Sequence, residues 1–281
     1  MTWMNLPSEY STKESKFIIL PIEYENNPTY GHGALKGPKE IIEASKHLEY
    51  YDEQLDNEPF LEGIHLLNPI INSNLEEMIQ QVSSIISEHK NKFIIGLGGD
   101  HAVTLGMVKG IEQINKEFSI IVLDAHADFR DSWKNSQYNH ACVSKQLSKK
   151  HDLAIIGVRA MDIDEKKQIE ESENIHLITM HKYSLEKLKQ ALPKLNSKIY
   201  LSIDVDVFDP SFIRNTGTPE PGGFNWKEVI DILTIIFKEK EVIGADIVEF
   251  APQENFRSEA YSLAKLAHKL MSLSIGVKES L

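Results

Sequence analysis

The sequence predicts a three-layer α/β protein in which helices cover both faces of a central, mostly parallel sheet of eight strands. Two observations predict this fold. Short runs rich in β-branched residues alternate with segments of helical periodicity, which is typical of βα units in a parallel sheet. No linker rich in glycine, serine or proline divides the 281 residues. We therefore expect a single domain, residues 1–281, built on one sheet.

Eight apolar runs are predicted to be strands, and they lie at residues 17–20, 64–67, 93–97, 119–123, 153–156, 175–178, 198–203 and 242–247. Seven segments of helical period accompany them, at residues 38–51, 75–89, 103–115, 165–171, 184–192, 226–238 and 258–274. Two loop-rich stretches, 128–139 and 206–225, follow strongly apolar strands. Because open α/β sheets bind ligands at the carboxyl ends of their strands, we expect both loops to border the functional site.

The composition excludes several classes of partner. The chain has 30 basic and 42 acidic side chains and a formal net charge of -12, whereas phosphate backbones bind to basic faces. No apolar run approaches the length of a membrane span, and residues 1–16 lack the pattern of a signal peptide. The single cysteine, Cys142, has no partner for an internal disulfide. We therefore expect a cytoplasmic protein that binds neither nucleic acid nor membrane.

Three polar motifs begin where predicted strands stop. They are Gly-Gly-Asp-His at 98–101, Asp-Ala-His-Ala-Asp at 124–128 and Asp-Val-Asp-Val-Phe-Asp-Pro at 204–210. Within each of the last two motifs, alternate carboxylate and imidazole side chains lie on one side of the extended chain. In extended chain, side chains at i, i+2 and i+4 point to one side, so Asp124, His126 and Asp128 can converge. Asp204 and Asp206 can converge in the same way.

Each motif taken alone also has a purely structural interpretation. The Gly-Gly-Asp-His segment could be a tight turn closed by an aspartate, and the Asp-Pro step at 209–210 could begin a turn. An unpaired Asp-x-His-x-Asp segment is less easily explained, because burying it would cost several kcal/mol. All three motifs at strand ends are far more specific than any one of them, and together they indicate a cluster of ligands.

A cluster of four carboxylates calls for cations, since the charges would otherwise repel one another. Carboxylate and imidazole donors without sulfur suit Mn²⁺, although Zn²⁺, Fe²⁺, Co²⁺ and Ni²⁺ accept the same donors. Six candidate ligands are too many for one ion that keeps an open position. Two ions about 3.5–4 Å apart fit the set better.

With these motifs the chain resembles the ureohydrolases, the binuclear manganese enzymes that include arginase, agmatinase and formimidoylglutamase, over nearly its whole length. The signatures that carry the resemblance lie at 31–38, 98–101, 124–128, 202–206, 217–223 and 246–249. Residues 124–131 with 138–143, and the Gly-Thr-Pro-Glu-Pro-Gly-Gly loop at 217–223, are most similar to bacterial and archaeal agmatinases. The resemblance implies an arginase-like fold and a homo-oligomer, a trimer or a hexamer.

The resemblance also implies roles for individual residues. One metal would be bound by His101, Asp124, Asp128 and Asp204, and the other by Asp124, His126, Asp204 and Asp206. Asp128 would in addition orient the water that the metals activate. Glu249 would hold the substrate guanidinium through a charge-assisted pair. His140 would contact the substrate and relay a proton to the leaving amine.

The reaction that this resemblance favours is hydrolysis of agmatine to putrescine and urea, a step of polyamine biosynthesis. Arginase, guanidinobutyrase, guanidine hydrolase and formimidoylglutamase activities would use the same metal core and differ at the tail of the substrate. Arg130, followed by Asp131, stands where arginases have an asparagine, which weakens the arginase alternative. The two residues form either a salt-bridged surface turn or a tail-sensing site. Glu220 either faces an ammonium tail or lies idle at the rim.

Two alternatives of other classes use the same donors. A two-metal phosphoesterase would need a lysine or arginine cluster to hold phosphate, and no such cluster accompanies the motifs. A non-catalytic metal-binding scaffold would not need His140 and Glu249. Release of urea would exclude the scaffold.

Overall fold

The computed structural model describes residues 2–254 and 257–276. Its strands are β1 (Phe17–Glu23), β2 (Ile64–Leu66), β3 (Ile70–Ile71), β4 (Phe93–Gly98), β5 (Ser119–Leu123), β6 (Leu153–Val158), β7 (Ile175–Thr179), β8 (Lys198–Asp204) and β9 (Glu241–Val248). Its α-helices are α1 (Gly37–Ser45), α2 (Leu75–Glu88), α3 (Val103–Ile114), α4 (Val143–Leu147), α5 (Ile163–Glu170), α6 (Leu185–Ala191), α7 (Trp226–Glu239) and α8 (Arg257–Ile275).

All the described strands belong to one sheet, in the order β2-β1-β4-β9-β8-β5-β6-β7, with β3 also paired to β1. Every strand pair in the described residues is parallel. The predicted parallel sheet is therefore confirmed, with the short β3 as an addition. Pro69 interrupts the chain between β2 and β3, and pairing with β1 resumes at Ile70 opposite Ile22, because proline cannot donate a ladder hydrogen bond.

Both faces of the sheet are covered, which gives the predicted three layers. Successive strand residues alternate between two apolar clusters. Phe17 and Ile19 belong to the cluster that includes residues of α1, α6, α7 and α8, whereas Ile18 and Leu20 belong to the one that includes residues of α2, α3, α4 and α5. Alternate side chains of a strand point to opposite faces, so the strands have to be apolar throughout. None of the described helices is both long and apolar enough to cross a membrane.

The helix boundaries depend on polar contacts that the apolar period does not encode. The prediction of one helix over 38–51 was wrong, since α1 ends at Ser45. The Ser45 hydroxyl donates to the Ile42 carbonyl at 2.7 Å and accepts from the Met4 amide at 3.1 Å, so it competes with the helical pattern. Helix α5 begins earlier than predicted because Asp162 and Glu165 form a capping box.

The strand order decides where the functional side chains meet. Strands β4, β9, β8 and β5 are consecutive in the sheet, and the motifs at 98–101, 246–249, 202–206 and 124–128 lie at their carboxyl ends. Because all four strands run in parallel, the four chain segments leave the sheet at the same edge. The loop that follows β1 and the start of the loop that follows β6 lie at this edge too.

Candidate metal centre

His101 lies at the centre of a first group of carboxylates. Its Nδ1 atom is 2.9 Å from Asp128 Oδ2, 3.3 Å from Asp124 Oδ2 and 3.4 Å from Asp204 Oδ2. The His101 side chain is almost completely buried, as are those of Asp124 and Asp204. Three carboxylates thus converge on one imidazole nitrogen in a site with little access to water.

His126 forms a second group beside the first. Its Nδ1 atom is 2.8 Å from Asp206 Oδ2 and 3.7 Å from Asp124 Oδ1. These contacts form two sets of donors: His101 with Asp124 and Asp128, and Asp124 with His126 and Asp206. Within each set, the ligating atoms lie within 4.8 Å of one another. Asp124 belongs to both sets and directs a different oxygen to each.

The chemistry of these donors fits divalent cations. His101 Nδ1 and Asp124 Oδ2 are buried atoms that have no hydrogen-bond partner among the described residues. Buried polar atoms are rarely left unsatisfied without a ligand or ion. The donors are oxygens and imidazole nitrogens without sulfur, a set typical of Mn²⁺ and its neighbours. The predicted ligands therefore lie where two ions could share Asp124.

The titration behaviour of the cluster reflects burial and the crowding of like charges. Removal from water, followed by the charges of Asp206 and Asp128, raises the pKa of Asp124 to about 8. Burial alone would lower the pKa of His126, but Asp206 outweighs it and raises this pKa to about 10. The pKa of His101 likewise lies well above its ordinary value because Asp124 and Asp128 surround it. At neutral pH these groups hold protons that a cation would displace.

The orientation of His101 is set by side chains inside the sheet. Ser202 on β8 donates its hydroxyl proton to Asp246 Oδ1 at 2.7 Å, so its oxygen accepts from His101 Nε2 at 3.1 Å. Tyr200 donates to the other Asp246 oxygen. Nε2 therefore carries the proton of the neutral ring, and Nδ1 is free for a cation, as in many carboxylate-supported metal sites. The sequence assigned no role to these three residues, although polar residues within apolar strands were a usable signal.

Asp128 and Glu249 have backbone conformations that residues other than glycine rarely adopt. Their φ angles are 48° and 67°, in the left-handed region that costs non-glycine residues free energy and is common at functional sites. The Glu249 carboxylate accepts from the His101 amide at 2.7 Å. Removal from water, with the charge of Asp100, raises the pKa of Glu249 well above its ordinary value. Both conformations aim a carboxylate at the same cavity.

A pocket of about 490 Å³ opens onto the two donor groups. His140 and Glu249 line it together with His126, Asp128, Asp204 and Asp206. His140 is half-buried, and its Nε2 atom is 2.8 Å from the hydroxyl of Thr29. The structure thus brings every predicted site residue to one place, with His101 and Asp124 beneath the pocket and the others on its wall.

The outer part of the pocket contains Arg130 but not Asp131. Arg130 Nη1 is 2.7 Å from Asp162 Oδ2, and its guanidinium stacks 4.6 Å from the centre of the Trp133 ring. Asp131 is largely exposed and lies 3.9 Å from Lys145 Nζ. Arg130 and Asp131 therefore pair with other residues rather than with each other. Arg130 and Glu220 line the pocket, whereas Asp131 does not.

Arg159 is a structural residue of the site that the sequence did not reveal. It follows β6, and its guanidinium donates to backbone carbonyls at distances of 2.6–3.4 Å. The acceptors belong to Gly157, Asp206, Val207, Phe208, Glu220 and Pro221. Gly223 packs against it so closely that a Cβ there would lie 2.6 Å from Nη2. A charged residue directly after an apolar strand was the available signal.

Comparisons with known proteins agree with this geometry. Residues 15–273 match the sequence model of the Arginase family. An N(1)-aminopropylagmatine ureohydrolase of Synechocystis sp. is 34% identical over 278 residues, covering 93% of this chain and 90% of its own. An agmatinase of Pyrococcus horikoshii is 32% identical over 280 residues, covering 96% of each chain.

A solved structure has the same fold. The agmatine ureohydrolase of Thermoplasma volcanium superposes with a TM-score of 0.86, covering 98% of this chain and 94% of that one, at 24% sequence identity. The central sheet and the flanking helices of this chain therefore have the same arrangement as in that structure.

Proposed function

Because the chain belongs to the arginase family and is an enzyme of the ureohydrolase type, we propose that it hydrolyses agmatine to putrescine and urea on two Mn²⁺ ions. The observation that supports this most directly is the pair of donor groups that share Asp124 beneath a pocket lined by Glu249 and His140. A guanidinium bound there has a carboxylate on one side and an imidazole on the other.

The ions would occupy the two donor groups. His101, Asp124, Asp128 and Asp204 would hold one ion, and Asp124, His126, Asp204 and Asp206 the other. They would supply a water molecule acidic enough to act as a nucleophile at neutral pH. Asp204 suits the role of second shared ligand, because its Oδ2 lies 3.4 Å from His101 Nδ1 and its Oδ1 accepts from the Asp206 amide. Manganese is proposed over other metals on donor type alone.

The side chains around the ions would divide the remaining work. Glu249 would pair with the guanidinium and fix its carbon beside the donor groups. Asp128 would accept a proton from the attacking water and orient its oxygen. His140 would deliver a proton to the alkyl nitrogen as the C–N bond breaks. Asp128 would then pass its proton on to the departing amine, and the hydroxyl proton of the adduct would replace the one that His140 gave. Both hydrogens of the water are thereby accounted for: the amine leaves as an alkylammonium, and the guanidinium carbon leaves as urea.

The charges at the outer pocket favour an amine tail over a carboxylate tail. Arg130 is already paired with Asp162, and Arg159 donates to backbone carbonyls. The Glu220 carboxylate lines the pocket and is 3.9 Å from His126 Nε2. If His126 binds a metal, it no longer carries the charge that attracts Glu220, and the Glu220 carboxylate can then pair with the amine tail of the substrate. An ammonium there would gain a charge-assisted hydrogen bond.

N(1)-aminopropylagmatine is a second candidate substrate, since an enzyme named for it is 34% identical to this chain. Its aminopropyl group adds a second cationic nitrogen to agmatine. Asp162 is about two-fifths exposed at the pocket's outer end, and it would accept a hydrogen bond from that nitrogen in exchange for its contact with Arg130. The product would then be aminopropyl-putrescine.

A comparison of substrates tests these proposals. The protein loaded with Mn²⁺, and in parallel with Ni²⁺, Co²⁺ or Zn²⁺, would be assayed for urea release from agmatine, N(1)-aminopropylagmatine, arginine, guanidinobutyrate and guanidine. We expect the highest kcat/KM for one of the first two. Equal or faster turnover of a substrate with a carboxylate tail would contradict the amine preference. Absence of urea together with hydrolysis of a phosphate ester would contradict the reaction itself.

A further inference from the structure

The loop between β1 and α1 provides a hydrogen-bond partner for His140, the proposed proton donor. Thr29 lies in this loop, and its Oγ1 atom is 2.8 Å from His140 Nε2. The same oxygen is 3.1 Å from Nε1 of Trp133, which donates to it. Thr29 thus joins two residues of the segment that follows β5, Trp133 and His140, in one chain of hydrogen bonds at the mouth of the pocket.

The atoms involved fix the direction of the hydrogen bond from Trp133 and allow two directions for the one with His140. The indole N–H of Trp133 can only donate, so Thr29 Oγ1 accepts from it. The Thr29 hydroxyl keeps its own proton, which it can give to His140 Nε2 when the imidazole is neutral. The proton of the neutral ring then resides on Nδ1. When the ring is protonated, Nε2–H donates to the second lone pair of the same oxygen.

The other nitrogen of His140 is buried. His140 Nδ1 has no hydrogen-bond partner among the residues that the structure describes, so the contact between Nε2 and Thr29 is the one that orients the ring. Because the Thr29 hydroxyl can donate to Nε2 or accept from it, this contact persists in both protonation states.

Neighbouring contacts hold Thr29 in place. Lys134 donates to the Pro28 carbonyl at 2.6 Å, and the Gly31 amide donates to the Gly217 carbonyl at 2.8 Å. A Cβ atom at Gly31 would lie 2.9 Å from that carbonyl, so the close approach requires glycine. The Thr29 loop is thereby tied to both loops that carry the pocket wall.

We propose that Thr29 is the positioning residue of His140: its hydroxyl holds Nε2, so that the neutral ring carries its proton on Nδ1. Trp133 supports this arrangement by occupying a lone pair of the Thr29 hydroxyl. The effect of this contact on turnover rests on the proposed function. The tautomer itself does not, and it can be measured without turnover.

Nitrogen-15 NMR of histidine-labelled, metal-free protein at pH 7.5 tests the tautomer directly. Burial lowers the pKa of His140, so the ring is neutral there. The His140→Asn variant, which loses this signal, identifies it. We expect a protonated-type shift for Nδ1 and an unprotonated-type shift for Nε2, and a mixture of tautomers in Thr29→Val and Trp133→Phe. A proton on Nε2 in the wild type would overturn the proposal, as would an unchanged spectrum in Thr29→Val.

Steady-state kinetics on the Mn²⁺-loaded protein provide the second readout. We expect Thr29→Val to lower kcat about tenfold with KM within about twofold, as for loss of one hydrogen bond made to the reacting group. Thr29→Ser retains the hydroxyl and should restore most of kcat. Thr234→Val removes a threonine hydroxyl from the surface of α7 and serves as the matched control. Equal losses in Thr29→Ser and Thr29→Val would contradict the role of the hydroxyl.

The two proposals can fail separately. If the wild type releases no urea from any guanidino compound, the proposed function fails and the NMR result still decides the tautomer. If urea is released normally by Thr29→Val, only the positioning role fails.

Discussion

At the scale of single residues, Asp124 is the side chain on which the two donor groups depend. Its Oδ1 accepts from the His126 amide at 2.6 Å, and its Oδ2 lies 3.3 Å from His101 Nδ1. The carboxylate is therefore fixed from both sides and buried. Asp124 would therefore contribute one oxygen to each of the two donor groups when they hold metal ions.

Metal binding should release protons. The pKa values of His101, His126 and Asp124 are raised, those of the last two to about 10 and about 8, so all three hold protons at pH 7 when no metal is bound. Ligands must be deprotonated, so Mn²⁺ affinity should rise as the pH increases toward these values. Calorimetric titration at pH 7 in buffers of different ionisation enthalpy should show at least one proton released per ion. Binding without proton release would contradict the raised pKa values.

Asp128→Asn should separate metal binding from turnover. Asparagine keeps one oxygen donor but cannot take a proton from water, so we expect at least partial metal retention and a fall in kcat of at least about 100-fold. Metal content by mass spectrometry and urea release measure the two effects. Asp131→Asn, which changes an exposed carboxylate three residues away, is the control and should keep its activity. Near-normal turnover in Asp128→Asn would remove the proton-accepting role.

Glu220→Gln should raise KM more than it changes kcat. Loss of the charge weakens the contact with the amine tail, and we expect KM for agmatine to rise about tenfold. Glu239→Gln, an exposed site on α7, is the matched control. Unchanged KM for every amine substrate would show that Glu220 lies at the rim without a function.

At the scale of elements, the loops at the carboxyl edge are bound to one another through Arg159. Its guanidinium joins the end of β6, the turn after β8 and the 217–223 loop. Only arginine has five N–H donors in a planar fork that can reach several carbonyls at once. This residue therefore sets the distance between the proposed metal ligands at the end of β8 and the loop that carries Glu220.

Arg159→Lys should lower both stability and activity. Lysine has three donors at one point, so several buried carbonyls would lose their partner, and we expect a loss of about 2–4 kcal/mol in the free energy of unfolding. Denaturant unfolding and urea release would measure the effects. Arg214→Lys changes an arginine that is more than half exposed and should stay within about 0.5 kcal/mol of the wild type. An equally small effect of Arg159→Lys would contradict the role of the guanidinium in joining these loops.

At the scale of the whole molecule, a polar network beneath α8 connects this helix to the 50–57 turn. Lys269 Nζ is 2.6 Å from Asp52 Oδ1, and both side chains are buried. His268 Nε2 donates to the Tyr50 carbonyl at 3.1 Å. Helix α8 closes one apolar layer, so these contacts join the C-terminal part of the described chain to its N-terminal third. Assembly into a trimer or hexamer stays a prediction.

His268 should make stability depend on pH. Burial, followed by the charge of Lys265, lowers the pKa of His268 from 6.5 to about 4. Between these values the unfolded chain takes up a proton and the folded chain does not, so stability is full above pH 6.5 and falls as the pH decreases, by roughly 3 kcal/mol in total.

Denaturant unfolding of the metal-free protein at pH 7, 6 and 5 would measure this loss. His268→Gln keeps a donor for Tyr50 and should show a smaller loss than the wild type. His47→Gln, which changes an exposed histidine, should leave the pH dependence as it was. Parallel curves for the wild type and His268→Gln would contradict the assignment.

The sequence predicted the parts of the site that lie on strand ends. Apolar runs determine where strands stop, and the parallel arrangement then brings the motifs at 98–101, 124–128 and 204–210 to one edge. It did not reveal the roles of Arg159 or Thr29. The charge of Arg159 directly after an apolar strand was a local signal, but most of the groups on which the two residues act lie far away in the chain.

The sequence by itself therefore determined the class of fold, the family and the set of donor side chains, because alternation and motif spacing are local properties. The tertiary structure alone decided which oxygen of Asp124 faces which histidine, that Arg130 pairs with Asp162, and that Thr29 reaches His140. These contacts join residues separated by 23 to 111 positions in the numbering, except for the Asp124–His126 pair, whose members are two positions apart. Their geometry depends on strand order and loop packing, which no short segment encodes.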